Sequence, residues 1–233
     1  MEATGSGKAT GTGAGSTMQK RMLAAMRPAA MREEPQRWQQ RKSGLTRLKL
    51  LEAATDCLVE GGYGRLSTAQ VSERAGVSRG AMHHHFATRI DLVAAVVEHV
   101  FYQRMHLFLE DYLGTMAQHR DAELVELATD AAWRSVQTRE YAAYLELAVA
   151  ARTDAELNAA FEPAARRYDE VWIAEMIESF PQWRDQWEAM KLGNDFAIAV
   201  HSGLLLHRPV FGPERVERVL RLTIETVRRL YRD

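Results

Sequence analysis

Gly76 is the residue that most constrains this chain. It sits inside STAQVSERAGVSRGAMHHHF, residues 67–86, where one short helical segment must stop and another begin. Ser67, with Gln70 three residues later, forms a capping box, and Ala69, Val71 and Ala75 give the segment from Thr68 to Ala75 an apolar side. Gly76 ends that helix because it takes the left-handed backbone of a helix C-cap without steric cost. Val77 is a buried-type residue in the turn, and Ser78 caps a second helix predicted from Arg79 to about His85. Two short helices around a tight glycine turn make a helix-turn-helix, whose second helix enters the DNA major groove.

The flanks extend the pattern. Upstream, TRLKLLEAATDCLVEG (46–61) spaces Leu50, Ala54, Cys57 and Leu58 as one helix face, broken by the Gly61-Gly62-Tyr63-Gly64 run. Downstream, Thr88 to Asp91 is a second capping box that opens a long helix. The array LLEAATDCLVEGGYGRLSTAQVSERAGVSRGAMHHHFATRIDLV, with its AxxxL, GY, AGVSRG and HHF elements, resembles the DNA-binding domain of TetR-family transcriptional regulators over about residues 46–92. Beyond that point the chain resembles the family only in being helical throughout.

Geometry assigns roles within the head. Side chains at the start of the recognition helix reach base edges, and those at its margins reach phosphates. Arg79 can pair bidentately with guanine O6 and N7, Ala81 can touch a thymine methyl, and Gly80 lets the backbone approach. Thr68, Thr88 and Arg89 stand at helix starts, where a hydroxyl, an N-terminus or a guanidinium meets phosphate. Ser78, His83 and His84 complete the expected DNA-facing set. The family commonly carries Tyr at His83, Pro at Ala87 and Lys at Arg89; the arginine keeps the charge, whereas the histidine alters the usual aromatic contact. His83-His84-His85 is not read as a metal site, since neighbours on a helix point about 100° apart and cannot converge on one ion. His85 is expected to pack beside Phe86, which belongs to the core of the head.

Net charge is −1 overall, which alone argues against a nucleic-acid partner. Its distribution argues otherwise: residues 1–91 carry +6 and residues 92–233 carry −7. Most of the positive excess lies in the first 42 residues, since residues 43–91 are close to balanced. Residues 1–42 are read as a disordered basic tail, because MEATGSGKATGTGAGST has almost nothing to bury. Its Lys20, Arg21, Arg27, Arg32, Arg37, Arg41 and Lys42 form either an arm that adds phosphate contacts or a solvated end without a role. Met18, Met22, Met26 and Met31 are each read as an alternative start, and no secretory leader or membrane span is expected. Cys57, the single cysteine, is read as a small core residue in a reducing cytoplasm.

After Arg89 the periodicity stays helical. Helices are predicted over about 89–117, 121–137, 140–152, 154–180 (kinked or broken at Pro163), 183–206 and 213–231, the last opening on Pro213. The fold class is therefore all-α, about nine helices: a three-helix head (43–91) and a helical ligand-binding and dimerisation body (92–233).

Phe101, Met105, Phe108, Trp133, Tyr144, Trp172, Met176 and Phe196, punctuated by Glu146, Asn194 and His201, compose either an apolar pocket or plain core. The last two helices carry stripes suited to association, or to their own core. Phe196, Val200 and Leu204 stand beside small residues in one, and Val216, Leu220, Ile224 and Val227 repeat along the other. The resemblance implies a homodimer that pairs these helices into a four-helix bundle, and a small-molecule effector that changes the spacing of the heads.

No GxSxG, P-loop or HExxH is present, and His119/Glu123 and His201/His207 are pairs that occur by chance, so no catalytic residue, cofactor or metal is expected. The expectation is a cytoplasmic, sequence-specific, ligand-responsive regulator of double-stranded DNA, more a repressor than an activator, on a palindromic operator. The alternative is an all-α small-molecule or protein-binding module that does not bind DNA.

Overall fold

Between Leu92 and Tyr112 apolar side chains recur on every side of one helix, and five of the other helices pack against it. The computed structural model describes residues 11–28, 38–116, 124–179 and 181–230. Its helices are α1 (Gly11–Met26), α2 (Trp38–Gly61), α3 (Thr68–Arg74), α4 (Arg79–His85), α5 (Arg89–Met116), α6 (Leu124–Ser135), α7 (Arg139–Ala151), α8 (Ala155–Ser179) and α9 (Trp187–Leu230). Short 3-10 turns cover Tyr63–Arg65 and Pro181–Gln186. Among the described residues there is no strand, so the all-α expectation of about nine helices holds. None of the described helices is long and apolar enough to cross a membrane.

α5 is the central helix. Val93, Val96, Val97, Val100, Met105 and Leu109 are fully buried, and α1, α2, α6, α7 and α8 all pack on it. It crosses the boundary expected at residue 91 without a break. The small head formed by α2, α3 and α4 is closed by Leu50, Leu58, Val71, Met82 and Phe86, and Cys57 is buried among them as a free thiol.

Three features depart from the sequence reading. The first is α1, which lies in the segment expected to be disordered. Met18, Met22 and Met26 fall at i, i+4 and i+8 on one face, and each is at most 5% exposed in the shared core against α5 and α8. Arg21 pairs with Glu175 of α8, and Arg167 donates to the Ala25 carbonyl, one of the last carbonyls of α1 that the helix itself leaves unsatisfied. Tertiary packing overrides a glycine- and threonine-rich stretch of low helix propensity. Residues 1–10 and 29–37 of the expected tail lie outside the described residues, as do 121–123, His119 and Tyr231.

The second is α8, which runs unbroken through Pro163. The third is the pair of terminal stripes. α9 bends at Gly212, whose φ of 71° suits a residue without a side chain, so the two expected helices meet at a hinge. Leu204, Val216, Ile224 and Val227 are at most 9% exposed and turn into their own protomer, where α9 packs on α6. These four are therefore core residues of the single chain. The exposed apolar residues of α9 are others: Leu192, Phe196, Ile198, Leu206, Val210 and Leu222.

Candidate functional site

The helix-turn-helix is built by three caps. Ser67 Oγ accepts from the Gln70 amide at 3.2 Å and starts α3; Ser78 Oγ accepts from the Ala81 amide at 3.2 Å and starts α4. Both satisfy amides that the helix leaves without partners. Gly76 ends α3 with φ 64°, and the Val77 amide reaches back to the Ser72 carbonyl at 2.9 Å. Thr88 and Asp91 exchange two hydrogen bonds, Thr88 N–H to Asp91 Oδ2 at 2.9 Å and Asp91 N–H to Thr88 Oγ1 at 3.2 Å, so α5 starts at a fixed point. All three caps stand where the sequence places them.

One side of α4 is pinned and the other is open. Met82 and Phe86 are buried, with the Arg47 guanidinium 4.4 Å over the Phe86 ring. Ser78, Arg79, Gly80, His83, His84 and Thr88 are exposed, and Thr68 and Ala81 are half-buried beside them. A side chain added at Gly80 would meet nothing, and Arg79 has no hydrogen bond or ion pair among the described residues. Ser78 and Thr88 use their oxygens as cap acceptors, so their O–H groups are still available to donate. His85 is half-buried next to Phe86, and burial lowers its pKa.

Arg89 is placed differently from the expected phosphate contact. Its guanidinium turns inward and donates to the Leu66 carbonyl (2.8 Å), the Tyr63 carbonyl (2.9 Å) and the Tyr63 hydroxyl (3.1 Å), lying 4.4 Å over the Tyr63 ring. Tyr63 in turn donates to Asp154 at 2.9 Å, at the start of α8. The planar five-donor fork of arginine fits two carbonyls of one turn together, and that geometry fixes it there. His83-His84-His85 brings no further ligand, and no group of three or more metal-binding side chains occurs among the described residues.

The second site is a cavity of about 300 Å³ in the body, among α5, α6, α7, α8 and α9. Of the residues proposed from sequence, Phe101, Phe108, Tyr144, Trp172, Met176 and His201 line it, and so does Asn194. Three do not. Met105 is fully buried in the core, Phe196 is on the outer face of α9, and Trp133 faces a separate recess with Val216 and Leu220. Glu146 lies near Gly62 at the head instead. The residues not anticipated include Tyr112, Tyr141, Tyr168, Trp187 and, above all, Arg104. A cation among apolar neighbours on a helix reads as a solvent-facing position, so only the spacing of Phe101, Arg104 and Phe108 along one helical face hinted at it.

The polar groups of the cavity are few and incompletely satisfied. His201 is 0% exposed with neither ring nitrogen hydrogen-bonded, and burial pushes its pKa down to about 4, so it is neutral at physiological pH. Tyr141 shares a 2.6 Å hydrogen bond with Ser202 Oγ, while Ser202 Oγ donates to the Ile198 carbonyl at 2.8 Å. Since serine has one proton, Tyr141 is the donor of that pair.

Comparison with known proteins agrees with the helix-turn-helix and with the all-α fold. The sequence profile described as bacterial regulatory proteins, tetR family, matches residues 50–96, the interval from α2 through the first turns of α5. An uncharacterised HTH-type transcriptional regulator of Mycobacterium tuberculosis is 32% identical over 151 residues, 63% of this chain and 76% of that protein. The HTH-type transcriptional regulator CymR of Pseudomonas putida is 28% identical over 193 residues, 80% of this chain and 91% of that protein. Among solved structures, NalD, described as the secondary repressor of the MexAB-OprM multidrug efflux pump in Pseudomonas aeruginosa, shares the fold with a TM-score of 0.55. It does so at 18% identity, over 81% of this chain and 96% of its own. The capped helix-turn-helix with its open recognition helix, the all-α body and these relatives together place the chain in the tetR family of bacterial regulatory proteins, as a DNA-binding transcriptional regulator.

Proposed function

We propose that this regulator is a ligand-responsive repressor that binds a two-fold operator as a homodimer. The observation that carries the reading is α4: its inner face is locked by Met82 and Phe86 while Arg79 and Gly80 stand open at its start. In that position Arg79 reads a guanine, Ala81 a neighbouring thymine methyl, and Thr68, Ser78, His83, His84 and Thr88 contact the backbone on either side. Arg89 acts indirectly, by holding the Tyr63–Leu66 turn that positions α3.

The dimer forms through the outer face of α9. Leu192, Phe196, Ala199, Gly203, Leu206 and Val210 alternate at spacings of four and three, which is one continuous stripe on a helix. Leu206 is 65% and Val210 76% exposed, more apolar surface than an isolated helix usually leaves in water. Val200 and, beyond the bend at Gly212, Leu220 are partly covered within the chain. Two heads on one two-fold axis are what a palindromic site requires.

The cavity binds the effector. α5 runs from the capped start next to the head to the cavity wall at Phe101, Arg104 and Phe108, and α7 touches both ends, through Tyr141 and Tyr144 at the cavity and Arg139 at the head. A ligand that prefers the conformer with wrongly spaced heads lowers operator affinity by population shift, so the empty form is the repressing one.

The test is binding of the full chain and its variants to DNA from its own control region and to a random duplex, at two salt concentrations. Arg79→Ala is expected to lose about 1–3 kcal/mol on the specific duplex and little on the random one. Equal loss on both, or no preference in the wild type, would reject α4 as the reading helix. Leu206→Glu is expected to shift the protein to a monomer in light scattering and to abolish tight operator binding while leaving the helix content intact.

A further inference from the structure

Arg104 is a cation without a counter-ion inside the body. Its guanidinium carbon lies 3.9 Å from the ring centre of Tyr144, 4.7 Å from Tyr141, 4.9 Å from Tyr168 and 5.6 Å from Phe101. Its Nε is buried and has no hydrogen-bond partner, and no carboxylate lies within ion-pair distance of it among the described residues. The other charged residues that line the cavity, Asp169, Lys191 and Asp195, are exposed at its edge, and Arg104 alone is drawn inward. Stacking on aromatic faces offsets part of the cost of desolvating a guanidinium, but it leaves the N–H donors unused. A buried donor without an acceptor is unfavourable, and a protein that does not need the charge does better with an apolar side chain of the same volume.

The surrounding hydroxyls point to the same kind of ligand. Tyr141 has spent its proton on Ser202. The hydroxyls of Tyr144 and Tyr168 carry no hydrogen bond among the described residues, and both rings stand against Arg104. A guanidinium fork with two phenol donors beside it is a receptor for a carboxylate, which accepts up to four hydrogen bonds in one plane. Next to it the cavity is apolar and aromatic, with Phe108, Trp172 and Met176 on its wall. A volume of about 300 Å³ is at the small end of ligand sites, which suits a compact organic acid with a single ring or short chain.

Taking the cavity as the effector site, we propose that its ligand is an organic monoanion: a carboxylate, held by Arg104 with Tyr144 and Tyr168, on an apolar or aromatic body. A cationic ligand would meet the uncompensated charge of Arg104 at close range. A neutral apolar ligand would offer the Arg104 donors no acceptor.

The experiment uses the whole chain and matched probes: 4-methylbenzoate, 3-phenylpropionate and octanoate, each with its primary carboxamide and its amine analogue. Affinity is measured calorimetrically, and release of operator DNA by fluorescence anisotropy. The acids are expected to bind at least about tenfold more tightly than their amides, equivalent to roughly 1.4 kcal/mol, and the amines not at all. Arg104→Met should level acid and amide; its thermal unfolding serves as the control for folding, and the wild-type comparison stands without it. Amides or amines that bind as well as the acids would overturn the carboxylate assignment and leave the effector site in place. Probes of all three charges failing both to bind and to release DNA would instead remove the effector reading, and the carboxylate assignment with it.

Discussion

Two arginines on α5 stand against tyrosines, one at the head and one in the body, and they could hardly be used more differently. Arg89 lies 4.4 Å over Tyr63 and makes three hydrogen bonds, two of them to backbone carbonyls. Arg104 lies 3.9 Å over Tyr144 and makes none among the described residues. The same residue type, on the same helix, stacked on the same kind of ring, is fully satisfied where the molecule needs a rigid turn and left unsatisfied where it lines a cavity. At the head, Arg89 and the helix caps find their partners within the chain, and the groups left open on α4 are exposed. The body retains polar groups, Arg104 and His201, with buried nitrogens that find no partner among the described residues.

The comparison breaks most sharply on stability. Arg89→Ala strands the Leu66 carbonyl, leaves the Tyr63 carbonyl with the Leu66 amide alone, and loosens the 3-10 turn; it is expected to cost about 2–4 kcal/mol in urea unfolding at fixed protein concentration. Arg104→Met removes a charge that the protein carries at a loss, and should leave stability within about 1 kcal/mol of wild type or raise it. If both substitutions cost the same, the aromatic cage is structural and the case for a missing anion falls. If Arg89→Ala instead leaves stability intact but weakens binding to every duplex and flattens the salt dependence, Arg89 meets phosphate, as the sequence alone suggests.

A second, smaller contrast sharpens it. The Tyr63 hydroxyl accepts from Arg89 and donates to Asp154, so Tyr63→Phe is expected to cost about 1–2 kcal/mol. Tyr144→Phe removes a hydroxyl with no hydrogen bond among the described residues, and stability should change by less than about 0.5 kcal/mol. The effect of Tyr144→Phe should appear in carboxylate affinity instead. A destabilisation at Tyr144 equal to that at Tyr63 would mean that its hydroxyl is already engaged in the folded protein.

The same division explains what could be read in advance. Caps, the glycine turn and the buried Phe86 follow from residues within a few positions of each other, and Ser67, Gly76, Ser78 and Thr88 stand as expected. Whatever depends on a distant segment could not be read. Met18, Met22 and Met26 look like loose tail residues until α5 and α8 are there to cover them. α9 carries two apolar arcs, and periodicity cannot say that Leu204 and Ile224 face inward while Phe196 and Leu206 face out. Arg89 at a helix start invites a phosphate partner, but the carbonyl pair of a turn more than twenty residues earlier is the nearer acceptor. Arg104 is invisible because its cage draws rings from α5, α7 and α8.

The smallest effect concerns the connection between the two ends. Glu52 of α2 accepts from His99 of α5 (2.9 Å) and from Arg139 of α7 (2.5 Å), while Arg139 also reaches Asp56 at 2.7 Å. The hydrogen bond from His99, then that from Arg139, hold the Glu52 carboxyl at about 2 against an ordinary 4.5. A depressed carboxylate pKa stabilises the fold fully above the unfolded value and loses that contribution as pH falls through the folded one. The network therefore contributes at neutral pH and weakens between about 4.5 and about 2. With both partners 37% exposed, solvent screening limits it to about 1 kcal/mol, not the larger figure the shift alone would give. Glu52→Gln should lower stability by about that amount at pH 7, converge with wild type near pH 2, and lose its effect in high salt. α7 also carries Tyr141 and Tyr144, two walls of the Arg104 cage, so this bridge joins the head to the cavity. If α7 transmits ligand binding to the head, Glu52→Gln should reduce the effect of a bound carboxylate on operator affinity without changing the affinity of the cavity for it in the DNA-free protein by more than the lost coupling. A variant that responds to ligand as the wild type does would route the coupling through α5 alone.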